Sequence, residues 1–317
     1  MIAPDLSLGH DGELRMERLL PAPPERVWRY LTERDLLATW IADGDIEPRI
    51  GGVVALAQLR DELPINTGGV IRGIVTEWDP PRALAYTWRH PQESVESHVR
   101  ITLSAQDDAT LLTLVHTRIP LNDSRLFAAG WQVHTDFMAH ALAGTQAPPF
   151  MEAYAPLREH YAGLAAAAQV FAQIIDGWNR RDAIAMSAPF AERCVMIGFD
   201  GSEMLSRPAI LDAMRAIWQH HQTPPYVARI RSVRMASVDT AVLHAVTGLV
   251  KADGQINAAT NAVTTLIAVK NGAVPNGSDW RVVLYQNTPA AYHGRAADAE
   301  ALTQELQALV PGKPGAG

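Results

Sequence analysis

The spacing of apolar positions changes period several times along the chain. Leu14 to Leu20 alternates as a short strand, and PAPPE then breaks it and seeds a helix with Pro near its first turn. In PERVWRYLTERDLLATWI, Val27, Trp28, Leu31, Leu36, Leu37 and Trp40 recur at helical spacing, which predicts two short helices separated by Thr32 to Asp35. Strands come next. A Gly-Gly break at Gly51 and Gly52 predicts a bend or bulge, Glu62 to Gly69 a turn-rich loop, and Asp79-Pro80-Pro81-Arg82 a turn between two strands. Leu84, Tyr86 and Trp88 share one strand face, as do Val99, Ile101 and Leu103, and again Leu112, Leu114 and His116 beyond the turn at Gln106 to Ala109. Arg100 alternates out of that face and is read as solvated. From Asn122 to Gly144 the helical period returns: Phe127, Trp131, His134, Met138 and Ala141 form one stripe, flanked by Phe137 and Leu142, with Asp136 and His140 on the other side. Asp123 or Ser124 can cap its start and Gly144 can end it in a left-handed turn. A long apolar helix after a curved antiparallel sheet must lie across the concave face, and an imidazole inside its oily stripe points to a pocket.

Two adjacent prolines and a third at Pro156 mark a joint near residues 145 to 165, where Leu157 to Gln169 is read as a helix that can merge into the next element. Val170, Phe171, Ile174, Ile175 and Trp178 then make an amphipathic helix ended by NRRD. A second short helix is expected over Ala183 to Phe190, then a strand ending in a hairpin turn at Asp200-Gly201. Ser206 caps a third helix with Ile210, Leu211, Met214, Ile217, Trp218 and His221 as its stripe. Long strands are predicted over Thr240 to Val250, Ala258 to Val269 and Trp280 to Thr288, with turns at Asp253-Gly254 and Asn271-Gly272. The fold class is α+β in two domains: 1–147, a linker with helix over 148–166, a second domain over 167–309 and a flexible tail over 310–317. No internal repeat relates the halves.

Composition narrows the partners. A chain of 317 residues exceeds what one core usually fills, and a net charge of −7 without a basic run argues against nucleic acid. No apolar run reaches the roughly 20 residues a membrane helix needs, and the N-terminus does not read as a signal peptide. The single Cys194, in an apolar run, reads as a buried thiol and suits a reducing cytoplasm. Adjacent His220 and His221 point about 100° apart on a helix and make a poor metal pair. No metal and no cofactor is expected, and G-x-G-x-x-G after a strand is missing.

The pieces APPERVWRYLT, LLATWI, Gly51-Gly52, G-x-V-T-E-W-D-P-P at Gly73 to Pro81, Tyr86 to Trp88, TLLTLVHT and GWQVH at Gly130 to His134 resemble the START-like helix-grip superfamily. Within it they resemble the branch of the activator of heat-shock-protein ATPase homologues. The resemblance covers roughly residues 14 to 144. It implies a cavity between long helix and sheet and no shared catalytic set. WNRRD, RPAI, ATNAVTTLIAVK and DWRVVLYQNTPA with the trailing GRAADAEALTQEL resemble the SgcJ/EcaC family of SnoaL-like, nuclear-transport-factor-like proteins over roughly residues 167 to 307. That resemblance implies a cone-shaped fold with a small, mostly apolar ligand at its wide end and a homodimer through the convex sheet.

Candidate ligand-lining residues are Trp40, Trp78, Trp88, His116, Trp131 and His134 in the first domain. In the second they are Trp178, Trp218, His221, Tyr226, His244, Asn261, Tyr285 and Asn287. His116 and His134 read either as hydrogen-bonded core histidines or as cavity groups that orient a ligand or move a proton. Gln286 and Asn287 alternate, so one faces inward. SnoaL-like cyclases use an acid as proton shuttle, yet Asp182, Asp200 and Asp239 all read as turn or helix-end residues. The chain is therefore read as a binder of small hydrophobic or aromatic molecules. It acts either as a cofactor-independent cyclase, isomerase or dehydratase accessory enzyme or as a non-catalytic carrier or sensor; a chaperone-linked module rests on the family name alone.

Overall fold

The computed structural model describes residues 5–58, 70–90, 95–270 and 280–311, and the loops expected at Glu62 to Gly69 and Asn271-Gly272 lie outside them. The chain divides into two compact units, Met1–Ala162 and Gly163–Gly317.

In the first unit, β1 (Asp5–Leu8), β2 (Leu14–Leu20), α1 (Pro24–Thr32), α2 (Arg34–Leu37), β3 (Ala42–Ile46), β4 (Val53–Gln58), β5 (Val70–Asp79), β6 (Ala83–Trp88), β7 (Ser97–Gln106), β8 (Ala109–Thr117), α3 (Ser124–Ala143) and α4 (Phe150–His160) succeed one another in that order. The curved antiparallel sheet runs β1-β2-β8-β7-β6-β5-β4-β3. The alternations place Leu14, Met16, Val99, Ile101, Leu112 and Leu114 in the core, each at most 2% exposed. β1 adds a strand that the periodicity does not predict, paired with β2.

α3 carries more burial than a single stripe. Val133, Thr135 and Phe137 are buried together with Trp131 and Met138, because α4 packs on α3. Asp136, expected on the solvent side, pairs with Arg18 of β2, whose side chain is 1% exposed among the apolar residues of that strand. Neither Asp123 nor Ser124 caps the helix: the Ser124 hydroxyl instead donates back to the Leu121 carbonyl at 2.7 Å. Gly144 closes the C-terminus at φ +67°, its N–H bonding Ala141 and that of Thr145 bonding His140 in the paired arrangement that suits a left-handed residue. Arg26 and the Tyr30 hydroxyl of α1 donate to carbonyls of the last turn, Leu142 and Ala141. The helix expected over Leu157 to Gln169 is split at Tyr161, and Pro156 sits inside α4.

The second unit contains α5 (Ala162–Arg180), α6 (Ala183–Ser187), β9 (Phe190–Ile197), β10 (Glu203–Ser206), α7 (Arg207–His220), β11 (Tyr226–Ser237), β12 (Thr240–Leu249), β13 (Ala262–Lys270), β14 (Trp280–Pro289) and α8 (Ala296–Gln307). Its sheet order is β10-β9-β14-β13-β12-β11, antiparallel except where β14 meets β9. Asp182 caps α6 by accepting from Ala185 N–H, and Ser206 caps α7 by accepting from Ala209 N–H. α8 lays Leu302 and Leu306 against Val246 and Ile256.

Where α5 meets α6, Gly177 leaves no room for a side chain: an added Cβ would lie 2.5 Å from the Met186 nitrogen and 2.6 Å from its Cα. Backbone cannot swing aside as a flexible side-chain tip can. Gly177→Ala should therefore destabilise by roughly 1–3 kcal/mol through overpacking, outweighing the ~1 kcal/mol gained in helix propensity. Urea unfolding checks this, and a more stable variant would show that the two helices can separate freely.

Candidate functional site

Each unit holds a cavity. In the first, an open hollow of about 150 Å³ is lined by Ile41, Trp88, Leu126, Phe127, Gly130, Trp131, His134, Phe150 and Tyr154. α3 supplies residues spaced three and four apart, so that Phe127, Trp131 and His134 stack along one side. α4 brings Phe150 and Tyr154 from the other, and Phe150 lies 5.5 Å from the His134 ring. Of the residues expected here, Trp88, Trp131 and His134 converge on the void.

The other three stand elsewhere. Trp40 is buried as a brace: its indole donates to the Tyr30 carbonyl at 2.8 Å, and its own carbonyl takes a 2.8 Å contact from His134 Nδ1. A carbonyl only accepts, so His134 carries its proton on Nδ1 in that bond. Trp78 packs edge-on against Trp28 at 5.2 Å. His116 is fully buried behind the wall. Its Nδ1 accepts from the Trp131 indole at 3.0 Å, and its Nε2 is 2.8 Å from Ser97 Oγ. Ser97 Oγ donates in turn to the Trp88 carbonyl at 3.2 Å. Because an indole N–H can only donate, every proton in this chain is assigned: Trp131 to His116 to Ser97 to Trp88. Burial pushes the imidazole down to about 3, with His98 adding a smaller effect, so His116 stays neutral and holds the wall rather than moving a proton at neutral pH.

The second unit's cavity encloses about 470 Å³. Of the residues named from the sequence, Trp178, Tyr226, Tyr285 and Asn287 line it, and Asn287 rather than Gln286 points inward. Thr264 Oγ1 donates to Asn287 Oδ1 at 2.8 Å, which leaves the amide N–H groups for other partners. The side chain of Asn287 interacts with both phenols, Tyr226 and Tyr285. Burial nevertheless raises both tyrosines above their ordinary range, so both keep their protons.

The remaining candidates of this unit fall outside the void. Trp218 sits behind Trp178 at 5.7 Å, its indole donating to Thr223. His221 is exposed, because α7 ends at His220 and the helical period stops there. His244 points to the exposed side of β12, opposite Leu243 and Ala245. Asn261 is buried but faces α8, donating to Thr303. Sequence reasoning missed Met186, Met196, Met204 and Met214, which line the cavity with Ile174, Ile175 and Ile217, and also Asp200 and Glu203. The methionines carry no distinguishing signal, since a core reads the same way. Cys194 is a buried thiol, raised by burial and by Glu192. Among the described residues no helix is long and apolar enough to cross a membrane, and no cluster of three potential metal ligands occurs.

Two curved sheets, each closed by helices over a partly empty interior, define a class of domain that fits small-molecule binding. Residues 21–143 match the family model of the activator of Hsp90 ATPase homolog 1-like protein, and residues 167–291 match that of the SnoaL-like domain. The chain thus joins one domain of each family. No curated protein matches it. A protein from Bordetella parapertussis is 33% identical over 47% of this chain and 84% of its own, with a TM-score of 0.42. CalU16 from Micromonospora echinospora is 23% identical over 52% of this chain and 99% of its own, at 0.43. A domain of unknown function with a cystatin-like fold from Nostoc punctiforme is 20% identical over 45% and 89%, at 0.37.

The fixed tautomer of His116 carries a sign for acid stability. A group whose folded pKa lies below its unfolded value contributes stability that is complete above the unfolded value, ordinarily near 6.5 for histidine, and is lost as pH falls toward about 3. The unfolding free energy from urea titration should drop steadily from pH 7 to pH 4, by roughly 3 kcal/mol from His116 alone. His116→Gln, which keeps a donor and an acceptor, should flatten that slope; an unchanged slope would assign the acid sensitivity to other groups.

Proposed function

We propose that this chain is a small-molecule-binding protein whose principal site is the cavity of the SnoaL-like domain, and that its ligand is a hydrophobic or aromatic metabolite bearing a carbonyl or hydroxyl oxygen. One observation carries the reading: a void of about 470 Å³, mostly apolar and with Asp200, Ser202 and Glu203 elsewhere on its lining, has two protonated phenols and a carboxamide grouped together. With Thr264 donating to Asn287 Oδ1, the amide protons and the two phenols are the groups left to meet a ligand oxygen, Tyr285 having Thr264 as a further neighbour. Four of the nine methionines of the chain line the same void, and their flexible thioethers fit flat rings of varied outline.

The lining supports retention of an unaltered compound, as a carrier or sensor does, over cyclase, isomerase or dehydratase chemistry. Proton transfer needs a base near the phenols. The acids lining the void are Asp200 and Glu203, and neither acts electrostatically on Tyr226 or Tyr285. Asp200 is held below its ordinary range by the hydroxyl and backbone N–H of Ser202, which makes it a weak base. The lone buried cysteine fits a reducing cytoplasm. A homodimer through the outward sheet face would use β13 and β14, since α8 packs beside β11 and β12.

Binding of 2-naphthol, followed by calorimetry, tests the reading against naphthalene as the oxygen-free control. Tyr285→Phe and Asn287→Leu should each weaken 2-naphthol by roughly three- to tenfold, the worth of about one hydrogen bond, and leave naphthalene nearly unchanged. Equal losses for both compounds, or no saturable binding of either, would overturn the assignment. Native mass spectrometry before and after incubation separates retention from conversion.

A further inference from the structure

The cavity of the first unit is walled by rings: Trp88, Phe127, Trp131, His134, Phe150 and Tyr154. Two of them, Phe150 and Tyr154, belong to α4, which begins after the family-matched residues 21–143 have ended. The box is therefore completed by a segment outside the family-matched residues. Its volume of about 150 Å³ is that of a hollow able to hold a single benzene-sized ring. A box of aromatic faces also suits an organic cation, which ring quadrupoles attract. Charge decides between the two ligands.

The charged groups acting on the Tyr154 hydroxyl are Arg158 and Arg125, and no carboxylate is among them. Arg158 stands one helical turn beyond Tyr154 on α4, and its Nε is buried without a hydrogen-bond partner. Arg125 is exposed on α3 ahead of Leu126 and Phe127, and neither arginine is itself among the residues that line the void. Among the described residues neither arginine has a carboxylate partner, whereas Arg29, Arg34, Arg82 and Arg100 all do. A guanidinium with a buried, unsatisfied N–H repels a cationic guest and favours an acceptor that is planar and anionic. We infer that the first unit binds a single-ring aromatic carboxylate, its ring held among the aromatic side chains and its carboxylate directed to Arg158 and Arg125 beside the Tyr154 hydroxyl. This site is separate from the cavity of the second unit and stands or falls independently of it.

The test uses the full chain and three probes that share one benzene ring: benzoate, benzyl alcohol and benzyltrimethylammonium. Binding is followed by calorimetry and by shifts of the Trp88 and Trp131 indole resonances, which report this cavity and not the other. Benzoate should bind at least about tenfold more tightly than benzyl alcohol, a difference of ~1.4 kcal/mol. The double variant Arg125→Gln with Arg158→Gln should bring benzoate down to the level of the alcohol while leaving the alcohol itself unchanged. Phe127 and Tyr154 are untouched in that variant, so the box persists and the alcohol reports on it. Equal affinity for benzoate and benzyl alcohol, preference for the quaternary ammonium, benzoate binding indifferent to the double variant, or no shift of those indoles at millimolar benzoate would each overturn the inference.

Discussion

A tryptophan indole can give a hydrogen bond and cannot take one, and the first unit is arranged around that restriction. Trp131 on α3 donates to His116 on β8, which obliges the imidazole to present a bare Nδ1 there and to carry its proton on Nε2 toward Ser97 of β7. Ser97 then spends its hydroxyl proton on the carbonyl of Trp88 at the end of β6. Four buried polar groups are satisfied without solvent, and one helix is tied to three strands. Protonating His116 would set N–H against N–H at the Trp131 end, so the neutral ring and the position of the aromatic wall are one condition. Trp131 and His116 spend their polar atoms in this chain, whereas the Trp88 indole N–H is buried without a partner.

The second unit solves the same problem in the opposite sense. Its buried polar groups form a cluster that ends at the cavity instead of closing on itself: Thr264 feeds Asn287, Asn287 reaches two phenols, and the phenols are kept protonated by burial. A buried hydroxyl with an unused donor is costly in an apolar surrounding. The cluster therefore favours an oxygen-bearing occupant more strongly than its modest polar area suggests. The two proposed selectivities, ring shape and charge in one domain and a hydrogen-bonded oxygen in the other, both follow from where each hydrogen-bond chain stops.

The elements were legible wherever one face was buried. Alternation over Val99 to Leu103 and Leu112 to His116, and the three-and-four spacing of Phe127, Trp131 and His134, gave the strands and the helix because burial imposes those periods. Phase and termination resisted reading. Gln286 and Asn287 could not be separated from spacing alone, and it is pairing with Thr264 that turns Asn287 inward. His221 looked like the next member of the α7 stripe, but the helix stops one residue earlier. His244 was readable: Ala241, Leu243 and Ala245 are the apolar set of β12, which leaves the histidine on the other face. The pair of prolines at Pro148 and Pro149 suggested a linker, whereas the helix after them packs on α3 and forms one wall of the first cavity, which no local pattern announces.

α8 shows why apolar outward positions need care. On β12, Val246 lies on the same face as exposed His244 and yet is 3% exposed, because Leu302 and Leu306, four apart on α8, cover it together with Ile256. Taken strand by strand, an apolar residue on the outer face of a curved sheet signals a partner, and the resemblance to dimeric cone folds strengthens that signal. Taken with the rest of the chain, the partner of this patch is its own C-terminal helix, fastened at its edge by Glu305 to Arg229 and Arg231. Hydrophobicity on a face fixes that something must cover it. Whether the cover comes from the same chain is decided by the segments downstream of the sheet, and here an Ala-rich helix with two leucines one turn apart supplies it.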